Sequence, residues 1–126
     1  MKVSDLRVGP LLSVEPKAPL AEVARQMRTK EVDSVAVMSD GKLAGIITER
    51  DLVQAIAEGV DPRQAAAAVI MTPSPSTIGE DEDVSVAALK MLNLGVRHLP
   101  VVDEKGEPVG LLSARDLVAV LDRARP

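Results

Sequence analysis

The chain has 126 residues and a formal net charge of −4, from 15 Lys and Arg against 19 Asp and Glu; without a basic stripe, this balance disfavours nucleic acid as the main partner. It contains no Cys, Phe, Trp or Tyr, which excludes a disulfide framework, a thiolate zinc site, a cysteine nucleophile and an aromatic platform for base stacking. Since 46% of the residues are hydrophobic and 27% are charged, and no apolar run reaches about 18 residues, we expect a globular cytoplasmic protein that contacts no membrane.

Apolar periodicity and turn residues divide the first half of the chain into strands and helices. Pro19 lies where a helix can begin, and Leu20, Val23 and Met27 follow at helical spacing. Ser39-Asp40-Gly41 is typical of a hairpin turn between two strands. In chain order, the predicted elements are an ordered lead-in over residues 1–10, a strand over 11–14, a helix over 19–30, strands over 32–38 and 43–48, and a helix over 49–58.

A linker and a second set of the same elements follow. Asp61-Pro62 combines a capping residue with a proline at the first helical position, and the alanine-rich run 64–70 then predicts a linker helix. Gly95 is typical of a residue that ends a helix. The elements predicted after the linker are a strand over 76–78, a helix over 84–94, strands over 96–102 and 109–112 around a turn at 104–106, a helix to about residue 123, and a frayed end over 123–126.

One segment of the chain occurs twice, 65 positions apart. Gly45-Ile46-Ile47-Thr48-Glu49-Arg50-Asp51-Leu52 returns as Gly110-Leu111-Leu112-Ser113-Ala114-Arg115-Asp116-Leu117. Each copy predicts a strand, a turn and the start of a helix. Because units of this size are marginally stable alone, we expect two half-units that pack on each other. They cover residues 1–65, with the lead-in, and residues 66–126.

The repeated segment carries residues that suit a nucleotide. Thr48 and Ser113 end a strand and cap the following helix, so that free N–H groups of the first helical turn lie beside a hydroxyl and a guanidinium and attract a phosphate. Asp51 and Asp116 follow three residues later. A carboxylate at that position can accept two hydrogen bonds from the diol of a ribose.

The same residues also fit a purely structural interpretation. Thr48-x-x-Asp51 and Ser113-x-x-Asp116 resemble capping boxes, in which the carboxylate accepts a hydrogen bond from the N–H of the capping residue. Capping signatures are common and nucleotide sites are few, so either copy alone favours capping. The duplication retains the glycine, the hydroxyl, the arginine and the aspartate together, which favours a function.

Together with two further segments, the repeated motif closely resembles a tandem of cystathionine β-synthase (CBS) domains. The further segments are Val96-Arg97-His98-Leu99-Pro100-Val101-Val102 and the linker Val69-Ile70-Met71-Thr72-Pro73. The resemblance covers nearly the whole chain and implies an α/β (α+β) fold of two pseudo-symmetric repeats. Each repeat would be a small sheet with helices packed on it, the two sheets facing each other, and adenosine-containing ligands would bind in clefts between the repeats.

The resemblance also implies roles for individual residues. Thr48 and Asp51 would serve one cleft, and Ser113 and Asp116 the other, with the hydroxyl on phosphate and the carboxylate on ribose. Arg50 and Arg115 are candidate phosphate partners, since a guanidinium matches phosphate oxygens in geometry. The base would lie beside Ala36 and Pro100 on the strands.

The two predicted sites are unequal. Arg97-His98 precedes the strand of the second repeat, where this basic pair can reach phosphates in members of the family, whereas Asp33-Ser34 occupies the matching positions of the first repeat. An acidic side chain there repels phosphate, so we expect one good site per chain. As the sole histidine, His98 could also be a metal ligand or a general base, but a histidine that hydrogen-bonds the backbone is the commoner case.

The sequence therefore favours a stand-alone regulatory module over an enzyme. It would bind AMP, ADP or ATP, need no cofactor, form a homodimer and transmit binding to a separate regulated protein; which nucleotide binds, or whether S-adenosylmethionine does, stays open. The alternative is a dimerisation scaffold without a ligand. No nucleophile with a nearby base and no phosphate loop supports catalysis, and the acidic run Glu80-Asp81-Glu82-Asp83 is better explained by the helix dipole than by a metal site.

Overall fold

The computed structural model describes residues 1–123 and divides the chain into two compact units. The first unit is Leu12–Pro75, and the second unit combines Met1–Leu11 with the chain from Ser76 onward. Residues 124–126, which belong to the predicted frayed end, lie outside the described residues. Within residues 1–123, no helix has both the length and the apolar character that crossing a membrane requires.

The first unit is a sheet of four strands with helices packed on it. Its elements are β1 (Ser13–Val14), α1 (Leu20–Lys30), β2 (Ser34–Ser39), β3 (Lys42–Thr48), α2 (Glu49–Ala57), α3 (Ala67–Ile70) and β4 (Thr72–Pro73). The strand order is β1-β2-β3-β4, with β1 parallel to β2 and the other pairs antiparallel. Aliphatic side chains and one methionine fill the core, namely Val14, Val23, Met27, Val35, Val37, Ile47 and Ala67.

The second unit repeats this plan with three strands. Its elements are a 3-10 helix (Val3–Asp5), β5 (Ile78–Gly79), α4 (Val84–Leu94), β6 (His98–Val102), β7 (Pro108–Ser113) and α5 (Ala114–Arg123). The strand order is β5-β6-β7, with β5 parallel to β6 and β6 antiparallel to β7. Its core consists of Val3, Leu6, Ile78, Ala87, Met91, Leu99, Val101 and Leu112. The predicted mixed fold of two small sheets with helices is confirmed.

The lead-in belongs to the second unit, so the compact units differ from a division of the chain at residue 65. The N–H groups of Val3 and Ser4 donate to the carbonyls of Glu82 (2.8 Å) and Glu80 (2.9 Å). Val3 is fully buried in the second core. These long-range contacts bind the start of the chain to elements some 80 residues later, beyond the reach of a local sequence pattern.

The predicted linker helix over residues 61–70 is interrupted. A turn at 61–65 is followed by extended backbone at Ala66 (φ −86°, ψ 152°), and only Ala67–Ile70 is helical. Ala66 forms an isolated β-bridge with Pro19, and the N–H of Ala67 donates to the carbonyl of Ala18 at 2.8 Å. Pairing with the segment before α1 therefore replaces helical hydrogen bonds at this point.

The two glycines of the repeated motif lie where another backbone segment runs close beside a strand. A Cβ atom at Gly45 would lie 2.7 Å from the carbonyl oxygen of Thr72, and a Cβ atom at Gly110 would lie 2.7 Å from the carbonyl carbon of Val8. Real Cβ atoms do not approach so closely, so both positions require glycine. The lead-in thus runs beside β7, where the N–H of Leu111 donates to the carbonyl of Val8 at 3.3 Å, as the segment around Thr72 runs beside β3.

Candidate functional site

The start of α2 in the first unit is closed by a reciprocal pair of hydrogen bonds. The N–H of Thr48 donates to Oδ2 of Asp51 at 2.8 Å, and the N–H of Asp51 donates to Oγ1 of Thr48 at 3.3 Å. Thr48 itself has extended backbone (φ −114°, ψ 167°), as a capping residue should. The capping box that the sequence offered as an alternative is therefore present in the first unit.

The start of α5 in the second unit has the same arrangement. The N–H of Ser113 donates to Oδ2 of Asp116 at 2.8 Å, and the N–H of Asp116 donates to Oγ of Ser113 at 3.4 Å. The Ser113 hydroxyl also donates to the same carboxylate oxygen at 3.1 Å. Both copies of the motif therefore fold into one local geometry, and both carboxylates are partly buried.

At each helix start, one further N–H donates to a backbone carbonyl of the residue that precedes a neighbouring strand. The N–H of Glu49 donates to the carbonyl of Asp33 at 3.0 Å, and the N–H of Ala114 donates to the carbonyl of Arg97 at 2.8 Å. Sequence reasoning missed these two carbonyls, although both precede the hairpin strand that pairs with the motif. Each helix start therefore offers one free N–H, that of Arg50 or Arg115, instead of the several expected; no described residue accepts a hydrogen bond from either.

Each carboxylate keeps an acceptor that capping does not use. Only Oδ2 of Asp51 and Asp116 accepts hydrogen bonds within the described part of the chain, while a carboxylate has about four acceptor positions on its two oxygens. The Oδ1 atoms remain able to accept from a ligand. Capping and ligand binding are thus compatible at these two residues.

The strand residue opposite the motif differs between the two units. His98 is the direct partner of Ser113 in the antiparallel pairing of β6 and β7, and Ser34 is the partner of Thr48 in that of β2 and β3. The Nε2 atom of His98 is buried, and Arg97 beside it is exposed. In the second unit, His98 is therefore the strand neighbour of the hydroxyl residue and follows the exposed Arg97, whereas Asp33 precedes the matching position in the first.

Comparison with known proteins identifies the family. The sequence model of the CBS domain matches residues 3–58 and again residues 66–123. The chain belongs to the CBS domain family. Each matched stretch begins with a segment that packs in the unit formed mainly by the other stretch, since residues 3–11 belong to the second unit and residues 66–75 to the first.

Relatives and solved structures place the chain among CBS domain pairs. An uncharacterised protein from Methanopyrus kandleri is 31% identical over 95% of this chain, which spans 62% of that relative. The CBS domain pair of protein MJ0100, solved with 5′-methylthioadenosine and S-adenosyl-L-methionine, is 26% identical with a TM-score of 0.90, over 99% of this chain and 98% of that one. The CBS domain protein PAE2072 from Pyrobaculum aerophilum, solved with AMP, is 32% identical with a TM-score of 0.87, over 98% and 97%.

CBS domain pairs are generally regulatory modules and not catalytic ones. Two relatives named as enzymes, a homoserine O-acetyltransferase from Methanohalobium evestigatum and an inosine-5′-monophosphate dehydrogenase from Korarchaeum cryptofilum, are much longer, and this chain spans 24% and 21% of them. In those proteins the CBS domains are part of a larger chain.

The other predicted ligand residues of the CBS pair have contrasting surroundings. The side chains of Arg50 and Arg115 are exposed, and neither forms an ion pair within residues 1–123. Ala36 lies in β2 opposite Ile46, and Pro100 lies in β6 opposite Leu111; both are buried. Their contact with a base, and the roles of the other site residues, stay predictions.

The acidic run before α4 has structural partners. Oδ2 of Asp83 accepts a hydrogen bond from the N–H of Ser85 at 2.9 Å, and Oδ1 lies 3.2 Å from the N-terminal ammonium of Met1. The Ser85 hydroxyl, then its N–H and then the ammonium lower the pKa of Asp83 to about 2. Among the described residues, no three His, Cys, Asp or Glu side chains are placed to hold a metal ion.

Proposed function

We propose that this CBS pair is a regulatory module that binds an adenosine-containing ligand, such as AMP, ADP or ATP, and transmits binding to a separate protein as a homodimer. The observation that carries the proposal is the combination at Ser113–Asp116. A carboxylate is held in place through Oδ2 and keeps Oδ1 available, beside an exposed guanidinium and one free N–H. Two CBS pairs with 26% and 32% identity, solved with adenosine-containing ligands, support it.

The ribose is the part that all these ligands share. Asp116 would accept hydrogen bonds from the ribose hydroxyls through Oδ1, while Oδ2 continues to cap α5. The cap fixes the position of the carboxylate before the ligand arrives, so that little ordering entropy is lost on binding. This role would be the same for AMP, S-adenosylmethionine and 5′-methylthioadenosine.

The phosphate distinguishes the nucleotides from the other ligands. Arg115 would contact it with its guanidinium and with its N–H at the positive end of α5. Arg97 adds a second exposed cation on the same side of the motif, since its carbonyl is bonded to the N–H of Ala114. At the matching place in the first unit stands Asp33, which favours occupation of the Ser113–Asp116 site over Thr48–Asp51.

An experiment on Arg115 tests the proposal. Arg115→Ala should weaken AMP binding at least tenfold and leave 5′-methylthioadenosine, which has no phosphate, within about twofold, because a charge-assisted hydrogen bond contributes about 1.5–3 kcal/mol. Arg50→Ala is the matched control and should change AMP affinity less. Calorimetric titrations of the three proteins give the affinities. Binding of AMP and GMP with equal affinity, or of neither, would contradict an adenosine module.

A scaffold without a ligand is the second candidate. Its support is the completeness of both capping boxes, which satisfy the hydroxyl and one carboxylate oxygen without any ligand. This candidate predicts that no adenosine compound changes the thermal unfolding midpoint, because only binding to the folded state shifts it.

A further inference from the structure

The first unit has a surface cleft beside the start of α1. Its volume is about 330 Å³, which lies at the lower end of the range for small-molecule sites. None of its lining residues belongs to the repeated motif. We call it the α1 cleft, and its lining residues are Pro19, Ala21, Glu22, Arg25 and Arg63.

Hydrogen bonds fix the two walls of the α1 cleft to each other. The N–H of Ala21 donates to the carbonyl of Pro62 at 2.9 Å, which joins α1 to the turn at 61–65. Within that turn, the N–H of Arg63 donates to Oδ1 of Asp61 at 3.0 Å. The two walls come from segments some 40 residues apart in the chain. A site that is fixed in advance loses little ordering entropy when a ligand binds.

The charged groups of the α1 cleft are two guanidiniums and one carboxylate. Glu22 and Arg25 lie one turn apart on α1, and Arg63 belongs to the facing turn. All three side chains are exposed, and none forms an ion pair within residues 1–123. The cleft is therefore positive overall in a chain with a net charge of −4, and its charged groups are available to a ligand.

The backbone N–H groups at the start of α1 are already occupied. Those of Leu20 and Ala21 donate to carbonyls of the segment 62–65. Those of Glu22 and Val23 both donate to the carbonyl of Pro19. An anion in the cleft must therefore be bound by side chains and not by the free N–H groups that a helix start usually offers. A guanidinium suits this task, because its N–H donors form a planar fork that matches the oxygens of an oxyanion.

The second repeat has no counterpart of these charges. The residues 64 positions after Glu22 and Arg25 are Val86 and Leu89, and both are exposed aliphatic residues. The α1 cleft is thus a feature of the first repeat of this chain and does not follow from the repeated fold.

We propose that the α1 cleft binds a small phosphomonoester that carries an ammonium group, at a site separate from the adenosine site. A phosphomonoester has roughly two negative charges at pH 7 and three terminal oxygens, which two guanidinium forks can share, whereas one fork already fills a carboxylate. Glu22 can accept hydrogen bonds from the ammonium group. The charges of such a ligand complement the two cations and one anion of the cleft.

A titration with phosphoethanolamine tests the proposal. The amide NMR signals of Ala21 and Arg63 should shift saturably. Arg25→Ala and Arg63→Ala should each weaken binding at least tenfold, because each variant loses charge-assisted hydrogen bonds. Arg28→Ala is the matched control, since Arg28 is also exposed on α1 but does not line the cleft. Its affinity should stay within about twofold of the wild type, because solvent and salt screen exposed charges outside the site.

Glu22→Gln separates recognition of the ammonium group from recognition of the phosphate. Inorganic phosphate should bind this variant at least as tightly as the wild type, because a repelling charge has been removed. The wild type should prefer phosphoethanolamine to inorganic phosphate, and the variant should lose that preference. Equal affinities of the wild type for the two compounds would contradict the assignment of an ammonium-bearing ligand.

Two outcomes would overturn the site itself. One is the absence of saturable shifts with phosphoethanolamine at millimolar concentration. The other is an equal loss of affinity in Arg28→Ala and Arg25→Ala, which would show attraction to the helix as a whole and not binding in the cleft.

A competition experiment separates this site from the adenosine site. 5′-Methylthioadenosine has no phosphate and should leave bound phosphoethanolamine in place. Displacement of phosphoethanolamine would show that both ligands share one site and would contradict the proposal. If phosphoethanolamine binds as expected while no adenosine compound binds, the α1 cleft is supported and only the proposed function fails.

Discussion

Asp116 can perform two tasks because it has two oxygens. Oδ2 accepts a hydrogen bond from the N–H of Ser113 at 2.8 Å and so caps α5. A helix cap of this kind contributes about 1 kcal/mol to stability. Oδ1 is the atom proposed to accept from the ribose. Removing the whole carboxylate would therefore mix a loss of stability with a loss of binding, whereas an isosteric amide separates them.

Asp116→Asn should reduce ligand affinity while preserving the cap. The amide oxygen can still accept the N–H of Ser113, so the free energy of unfolding should change by less than about 1 kcal/mol. The amide nitrogen cannot accept from a ribose hydroxyl, and binding of AMP should weaken by about 1.5–3 kcal/mol. Urea unfolding and calorimetric titration measure the two effects. Undiminished binding of AMP would show that Asp116 is not part of the site. Asp116→Ala should lose both the cap on α5 and the affinity for AMP.

Glu31 ends α1 in a left-handed conformation that favours glycine. Its φ and ψ are 55° and 43°, and at the matching position after α4 the chain has Gly95 with φ 68°. A left-handed residue with a Cβ costs about 1–2 kcal/mol, part of which glycine returns as unfolded-state entropy. Glu31→Gly should therefore stabilise the protein by about 0.5–1 kcal/mol. A higher urea midpoint with an unchanged m-value is the expected result; a lower midpoint would contradict it.

The pKa of Asp83, which is lowered from 3.8 to about 2, predicts how acid affects α4. A carboxyl group whose pKa is lower in the folded state stabilises the fold above its unfolded pKa and loses this effect as the pH falls through its folded pKa. The contribution of Asp83 should thus be complete above about pH 4 and disappear toward about pH 2. Ser85→Ala removes the hydroxyl that lowers the pKa most, so the loss should still begin near the unfolded pKa but be smaller and end at a higher pH. Carboxyl chemical shifts measured against pH would follow Asp83 directly; an identical titration in the variant would refute the assignment.

At the scale of elements, each CBS domain starts with a segment that completes the other unit. Val3 begins a short helical turn that packs in the second unit, and Ala67, 64 positions later, begins one that packs in the first; both are fully buried. The two isolated β-bridges, Lys2 with Asp83 and Pro19 with Ala66, correspond to each other under the same shift. The two repeats therefore keep their pseudo-symmetry because each one contributes its first segment to the unit that the other repeat mainly forms.

This exchange predicts different effects for two glycine substitutions in the same sheet. A Cβ atom at Gly110 would lie 2.7 Å from the carbonyl carbon of Val8, which is backbone and cannot rotate away. Gly110→Ala should displace the lead-in and cost about 1–3 kcal/mol. At Gly79 the nearest atom is Cγ of Glu82 at 3.5 Å, an ordinary contact, so Gly79→Ala should be nearly neutral. Denaturant unfolding gives both values, and equal stabilities would show that the close approach of Val8 does not restrict Gly110.

Local patterns predicted the elements that depend on local forces. The helices α1, α4 and α5, both hairpins and both capping boxes follow from spacing, turn residues and hydroxyl–carboxylate pairs within a few positions. The path of the lead-in, the break at Ala66 and the strand β4 depend on pairing between distant segments, which a single sequence does not encode locally. For the same reason the carbonyls of Asp33 and Arg97, which occupy the helix starts, were not predicted.

As a whole molecule, this chain is proposed to bind adenosine through the repeated motif although it contains no aromatic residue. Because of this composition the protein is nearly transparent in the near ultraviolet, where adenine absorbs. A bound adenine ligand can therefore be counted directly from the spectrum of the protein.

The decisive measurement is the ultraviolet absorbance retained with the protein after ultrafiltration against AMP, with GMP as the matched control. We predict saturable retention of one adenine per chain, no retention of GMP, and a reduced amount for Asp116→Asn. The absence of any retained AMP, ADP, ATP, S-adenosylmethionine or 5′-methylthioadenosine at millimolar concentration would rule out an adenosine-binding module and leave the ligand-free scaffold.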